Sequence, residues 1–99
     1  MTKYKATRAE VYAALDGERD YQEGRKANEG STSYNGQHTP EEFLIYMNDY
    51  LAEANHVAAR VWGEDCKPRI LDVLRKVTAL GVACMEENGV VKRATKEVA

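Results

Sequence analysis

A helix-start signal in the middle of the chain constrains the fold more than any other sequence feature. In "HTPEE", Thr39 is suited to the N-cap, Pro40 to the first helical position and Glu42 to the return hydrogen bond of a capping box. The apolar side chains that then repeat at helical spacing are Phe43, Leu44, Met47, Leu51, Ala54, Ala58 and Val61. We therefore predict a long amphipathic helix over about residues 40–62, with this stripe sealing the core.

Two further helices are predicted on either side of it. In "TRAE", Thr7 and Glu10 have capping-box spacing, which predicts a helix over about residues 7–24. A third apolar repeat predicts a helix over about residues 68–87, followed by an Asn-Gly stop signal. Its predicted core stripe is Ile70, Val73, Leu74, Val77, Leu80, Gly81 and Cys84. The sequence thus predicts an all-α fold with three main helices.

The remaining segments are predicted to be irregular. Residues 24–38 contain three glycines and no aliphatic side chain larger than alanine, which is typical of a loop. Such a loop is either a lid or a plain crossover, and the sequence does not decide between them. The tail, residues 90–99, has no apolar periodicity. A chain of 99 residues suits one domain, and we treat residues 1–99 as a single helical domain.

One segment of the third predicted helix indicates self-association. The run "VTALGVACM", residues 77–85, carries no charge on any side and is rich in small residues. A helix that is apolar all round is usually enclosed by protein. Because a three-helix chain of this length can hardly enclose it alone, we expect the third helix to pack against a second subunit of a homo-oligomer.

Composition excludes several classes of function. Charged residues make up 30% of the chain but the net charge is only −2, so nucleic-acid binding is not expected. Cys66 and Cys84 form neither a disulfide framework nor a zinc spacing, which indicates a reducing, cytoplasmic setting. The first ten residues resemble no secretory signal, and no uncharged run approaches the ~20 residues that cross a bilayer. We expect no membrane association.

No nucleophile and base pair, phosphate loop or metalloprotease motif is evident. His38 and His56 are interpreted as surface residues, and Cys84 as a small core residue. Asp49 and Glu53 lie one turn apart, opposite the predicted apolar stripe. Like charges at this spacing repel by roughly 0.2–0.5 kcal/mol, so they favour a counter-charge or a cation nearby.

The edge of the predicted stripe carries Tyr46, Tyr50 and Val57.

Three segments of the chain carry a family resemblance. They are, in order, "ERDYQEGR", "FLIYMNDYLAEA" and "LDVLRKVTALGVACMEENG". Together they resemble the MazG-like all-α nucleotide pyrophosphohydrolases and, more closely, small phage proteins related to them. The similarity spans about residues 18–89. It implies a helical bundle completed by self-association, in which acids of two helices bind magnesium, the magnesium holds a nucleoside triphosphate, and water attacks.

The resemblance is incomplete at the residues that matter for catalysis. Glu18, Arg19 and Gln22 fit the first segment, but the Trp-Gly pair that should follow is absent. Asp49 and Glu53 stand for the first and last acids of the second segment. The acid between these two is replaced by a tyrosine at position 50.

In the third segment, Val73 and Lys76 occupy the two positions where the family has a Glu and an Asp, and Asp72 lies one residue away. A lysine in place of a ligand opposes cation binding, but together with Arg75 it can contact a phosphate directly. We therefore expect non-catalytic binding of a nucleotide or nucleotide-derived phosphate, with no cofactor. A phage origin would suggest capture of a host nucleotide signal in the host cytoplasm. The ligand-binding candidates are Arg19, Gln22, Tyr46, Tyr50, Arg75 and Lys76.

Three alternatives stay open. The first is a magnesium-dependent nucleoside triphosphate pyrophosphohydrolase with Asp49, Glu53 and Asp72 as metal ligands. The second is a helical adaptor or inhibitor that binds a host protein through its polar helix. In the third the same charges are only structural, with Asp72 pairing with Lys76, and Glu53 with His56.

Overall fold

The structure, a computed structural model, describes residues 4–29 and 38–94, including all of their side chains except those of residues 26–29. It contains α1 (Arg8–Glu29), α2 (Pro40–Arg60), a short 3-10 turn (Gly63–Asp65) and α3 (Cys66–Asn88). No strand occurs in these two ranges. The predicted all-α fold of three main helices is confirmed.

Both predicted capping boxes are present. The Thr39 hydroxyl accepts a hydrogen bond from the Glu42 backbone N–H at 3.1 Å, and the Glu42 carboxylate accepts one from the Thr39 N–H at 2.8 Å. Thr7 and Glu10 make the same reciprocal pair at 3.1 and 2.8 Å. Each box satisfies two of the backbone donors that a helix start leaves without an intrahelical partner.

The helix ends differ from the prediction in three places. α1 continues past residue 24 to Glu29, because Arg, Lys and Ala after Gly24 favour a helix and one glycine costs only about 1 kcal/mol. α2 ends at Arg60, where Val61 adopts extended backbone. α3 begins at Cys66, so Pro68 lies in its first turn, where a missing N–H removes no helical hydrogen bond. The rest of the predicted loop, residues 30–37, and residues 95–99 lie outside the described ranges.

The third helix is the centre of the molecule. α1 and α2 each pack on α3, whereas the described backbones of α1 and α2 do not pack on each other. α2 runs antiparallel to α3, since His38 at its start bonds to Asn88 at the end of α3. α1 runs in the same direction as α3: Leu15 lies across from Leu71, and Arg19, one turn later, contacts Glu86 further along α3.

The hydrophobic core is small for a chain of this length. Its buried members within the described residues are Phe43, Val57, Val73, Val77, Ala79 and Ala83. None of them comes from α1. The radius of gyration is 16.1 Å, compared with about 13 Å for a compact domain of 100 residues. The three helices therefore form a more open arrangement than a compact bundle.

The predicted apolar stripe of α2 divides into two parts. The side chains that are buried or half-buried towards α3 are Phe43, Met47, Tyr50, Ala54, Val57 and Val61. Leu44, Leu51 and Ala58 were expected in the core but are exposed, and Leu44 is 59% exposed. Val57, expected at the edge, is only 6% exposed. The prediction was wrong here because one partner helix covers a seam narrower than the whole apolar stripe.

The uncharged segment of α3 is largely enclosed by its own chain. Ala79 and Ala83 are 0% and 5% exposed. Thr78 and Met85 are its exposed members. Leu74, assigned to the core from sequence, is 48% exposed because α1 lies across an open groove from it and does not cover it.

Candidate functional site

A concave surface lies between the N-terminal halves of α1 and α3. This α1–α3 groove has a volume of about 540 Å³. Val11 and Leu15 of α1 face Leu71 and Leu74 of α3 across it. Its polar lining residues are Asp72, Arg75 and Thr78. Its volume falls within the roughly 300–1,000 Å³ of small-molecule sites, which are mostly apolar with a few placed polar groups.

Arg75 is held by two carboxylates. Its Nε donates to Glu18 Oε1 at 2.8 Å, and its Nη2 donates to Asp72 Oδ1 at 2.6 Å. These bonds, to Glu18 first and Asp72 second, raise the pKa of Arg75. The hydrogen bond from Arg75, followed by one from Lys76, lowers the pKa of Asp72 despite its partial burial. The Lys76 Nζ lies 3.4 Å from Asp72 Oδ2, which confirms the pairing predicted from sequence.

This cluster of two cations and two carboxylates is formally neutral. An incoming anion therefore meets no net positive charge and competes with a carboxylate for each cation. Glu18 is the less accessible carboxylate, with 10% of its side chain exposed, whereas Asp72 is 47% exposed. Asp72 is thus the carboxylate that a ligand can displace.

Arg19 and Gln22 lie in a different cluster, towards the C-terminal half of α3. Arg19 Nη2 lies 2.6 Å from Glu23 Oε2 and 2.6 Å from Glu86 Oε1, and its Nη1 donates to Gln22 at 2.9 Å. Burial lowers the pKa of Arg19, but the hydrogen bonds to Glu23 and Glu86 outweigh it and raise the value. With 11% of its side chain exposed, Arg19 joins α1 to α3 and does not line the α1–α3 groove.

The two candidate tyrosines belong to α2 and do not line the α1–α3 groove. Tyr46 is 41% exposed, and its ring lies edge-on to the His38 ring at a centroid distance of 5.5 Å. Tyr50 is half-buried. The predicted ligand set is therefore divided: Arg75 and Lys76 lie together, and Arg19, Gln22 and the tyrosines lie apart from them.

His38 was expected at the surface, and this prediction was wrong. Only 21% of its side chain is exposed, and its ring also lies edge-on to Phe43. Its backbone N–H donates to Glu87 Oε1 at 2.9 Å, and its carbonyl accepts from Asn88 Nδ2 at 3.0 Å. His38 thus fixes the start of α2 to the end of α3. The contacts span about half the chain, so spacing alone gave no signal of them.

The candidate metal ligands do not converge on one point. Glu53 and Asp72 line a groove of about 240 Å³ between α2 and α3, together with Arg69, while Asp49 is exposed and does not line it. Within residues 4–29 and 38–94, no three His, Cys, Asp or Glu side chains are placed to hold a metal ion. The structural alternative included an ion pair between Glu53 and His56, and the same ranges do not contain it.

Among the described helices, none has the length and apolarity required to cross a membrane. Comparison with protein families, curated proteins and solved structures found no match. The resemblance to MazG-like pyrophosphohydrolases therefore stays a prediction from three sequence segments.

Proposed function

We propose that this chain is a non-catalytic binding protein whose α1–α3 groove takes a nucleotide or a related phosphate ester. The observation that supports it is the presence of Arg75 among the lining residues of a mostly apolar groove of about 540 Å³. An apolar wall with one guanidinium suits a ligand that combines a flat organic group with a phosphate.

In this proposal the phosphate replaces Asp72 and binds Arg75 and Lys76. The ion pairs to be broken are partly solvated, with 37% of the Arg75 side chain and 47% of the Asp72 side chain exposed. Such pairs contribute about 0–1 kcal/mol, so their loss is a small penalty. Glu18 keeps its bond to Arg75 Nε and orients the guanidinium, leaving its remaining N–H groups for the phosphate oxygens.

The organic part of the ligand lies against Val11, Leu71 and Leu74, whose side chains are 46%, 54% and 48% exposed. Covering them removes apolar surface from water at roughly 25 cal/mol per Å². Tyr46 and Tyr50, the stacking residues expected from sequence, have no part in this arrangement.

Thermal shift with a panel of nucleoside triphosphates and cyclic nucleotides, with and without magnesium, tests the proposal. We expect stabilisation without metal, with the nucleotide recovered intact, and loss of the shift in Arg75→Gln. Arg69→Gln is the matched control, because Arg69 lines the groove between α2 and α3. A shift that survives Arg75→Gln contradicts this site, and no shift with any compound favours a protein partner.

A magnesium-dependent pyrophosphohydrolase is the second candidate, favoured by the groove that Glu53 and Asp72 share. It ranks second because Asp72 already binds Arg75 and Lys76, so a metal ion would have to displace two cations. This candidate requires water to convert a nucleoside triphosphate to its monophosphate and pyrophosphate, with magnesium present. Activity that Glu53→Gln abolishes supports it, and no cleavage at high protein concentration rejects it.

The proposal has two further parts. The chain self-associates, and it acts as a phage protein that captures a host nucleotide signal in the cytoplasm. The phage and signalling parts rest on the sequence resemblance alone. Self-association has separate support: the small core and the exposed leucines of α2 and α3 indicate that a single chain leaves apolar surface uncovered.

A further inference from the structure

The exposed surface of α2 is divided into a charged side and an uncharged side. The charged and titratable side carries Glu42, Asp49, Glu53, His56 and Arg60. The other side, which we call the outer face of α2, carries Leu44, Ile45, Asn48, Leu51, Ala52, Asn55, Ala58 and Ala59, all of them exposed. Leu44, Ile45 and Leu51 are 59%, 66% and 40% exposed. Along Pro40–Arg60, the one charge on this outer face is Glu41, in the first turn.

The outer face has the spacing of a second helix-packing seam. Leu44, Asn48, Leu51, Asn55 and Ala58 are separated by steps of four, three, four and three residues, as in a heptad repeat. The seam of α2 that packs on α3 has the same alternation, from Phe43 to Val61. One seam of α2 is therefore filled by α3. The other repeats its spacing, with two asparagines among its apolar residues, and has no helix against it within the described chain.

We infer that the outer face of α2 packs antiparallel against the outer face of α2 in a second copy of this chain, with Leu51 at the two-fold axis. The inference rests on the proposed self-association, but not on ligand binding, and it moves the predicted interface from α3 to α2. A two-fold interface brings the same surface of both subunits together, so its sequence must be self-complementary.

The outer seam is self-complementary about Leu51. In the antiparallel register Leu51 meets the partner subunit's Leu51. Asn48 lies three residues before Leu51 and the partner subunit's Asn55 lies four residues after its own Leu51, so the two differ by one residue, about 1.5 Å of helix rise, and their amides stay within reach of each other. A side-chain amide both donates and accepts hydrogen bonds, so the two asparagines satisfy each other. Leu44 then meets the partner subunit's Ala58, which pairs a large side chain with a small one. An unrelated partner would give no reason for this symmetry.

The outer face leaves apolar surface exposed in the described chain. Leu44, Ile45 and Leu51 are 59%, 66% and 40% exposed on it, and Met85 of α3 is 46% exposed. A standard stable interface buries ~800 Å² on each partner, so the outer face would have to be covered along most of its length.

Sedimentation equilibrium of the full chain tests the inference. We expect the wild type at twice its 11.1 kDa mass at micromolar concentration. Leu51→Lys and Leu51→Glu place like charges at the two-fold axis, so each should raise the dissociation constant about 100-fold or more. Mixing the two variants should restore a dimer, because the new lysine then faces the new glutamate. Tyr21→Lys, at a 61% exposed site on α1, is the matched control and should stay dimeric.

Asparagine variants test the register without removing apolar contacts. Asn48→Asp and Asn55→Asp should each stay dimeric, since an amide still faces the new carboxylate. The double variant should dissociate at pH 7, because carboxylates then face each other twice. Both positions are exposed in the single chain, so helix content by circular dichroism should be unchanged.

Each negative outcome has a distinct meaning. A monomeric wild type overturns self-association itself. Helical Leu51 variants that remain dimeric overturn the outer face of α2 as the interface. Monomeric variants that do not recombine, or a double asparagine variant that stays dimeric, overturn the antiparallel register. None of these results depends on the nucleotide thermal shift, so ligand binding stands or falls separately.

Discussion

Glu18 and Arg75 form an ion pair that joins α1 to α3, in which the Arg75 Nε donates a hydrogen bond to Glu18 Oε1 at 2.8 Å. Glu18 is shielded, with 10% of its side chain exposed, and among the described side chains of α1 no buried apolar one supplements the contact. The bond therefore has two consequences: it holds α1 on α3, and it orients the one guanidinium that lines the α1–α3 groove.

Glu18→Gln should destabilise the fold. The amide keeps the size of the side chain but loses its charge, and charge-assisted hydrogen bonds contribute about 1.5–3 kcal/mol where they are shielded. Because Arg75 is partly solvated, we expect a loss of about 1 kcal/mol in the free energy of unfolding. Thermal denaturation measures it as a fall of about 4–8 °C in Tm. Glu64→Gln, at an exposed site in the 3-10 turn, is the control and should change Tm little.

The pKa of Asp72 should depend on Arg75. The hydrogen bond from Arg75 is the main cause that lowers the pKa of Asp72, followed by the one from Lys76. A carboxylate with a lowered pKa stabilises the fold above its ordinary value of about 4, and this contribution is lost as the pH falls through the lowered value. An NMR titration should show the pKa of Asp72 rising towards its ordinary value in Arg75→Gln. An unchanged value would contradict the bond between the two residues.

The capping box of α2 should be a measurable source of stability. Thr39→Ala removes the hydroxyl that accepts from the Glu42 N–H, which should cost about 1 kcal/mol in urea denaturation. Thr39→Ser retains the hydroxyl and should restore most of the loss. If both substitutions cost the same, the methyl group of Thr39 and not its hydroxyl is responsible.

Gly81→Ala should stabilise the protein although Gly81 lies in the middle of α3. A Cβ at this position would lie 3.6 Å from the Met47 Cε, an ordinary van der Waals distance. Replacing a mid-helix glycine by alanine gains about 0.4–1 kcal/mol, mainly from the unfolded chain. Gly17→Ala, with nothing within 4 Å of its Cβ, gives the reference gain in Tm. A loss at Gly81 alone would show that α2 and α3 pack more closely than this.

The features that sequence predicted well are local ones. The capping boxes of Thr7 and Thr39 depend on a hydroxyl and a carboxylate three residues apart, and a short pattern contains all of that information. Periodicity likewise predicts that a segment is helical. It does not predict which part of an apolar stripe a neighbouring helix covers, which is why Leu44 was placed in the core and Val57 at its edge.

The candidate site shows the same limit. Arg19 and Arg75 were grouped as phosphate ligands because both are cations in segments that resemble one family. Their partners come from distant parts of the chain: Glu86 for Arg19 and Glu18 for Arg75. Which carboxylate neutralises which cation depends on how the helices cross, and residue spacing within one helix contains no information about it.

The central position of α3 also determines how the molecule opens. Because α1 packs only on α3 and contributes no buried side chain among those described, its detachment leaves the α2–α3 pair intact. Amide hydrogens of α1 should then exchange through a partial unfolding of lower free energy than those of α2 and α3. Native-state hydrogen exchange would reveal two cooperative units in a chain of 99 residues, with the wall of the α1–α3 groove in the less stable one.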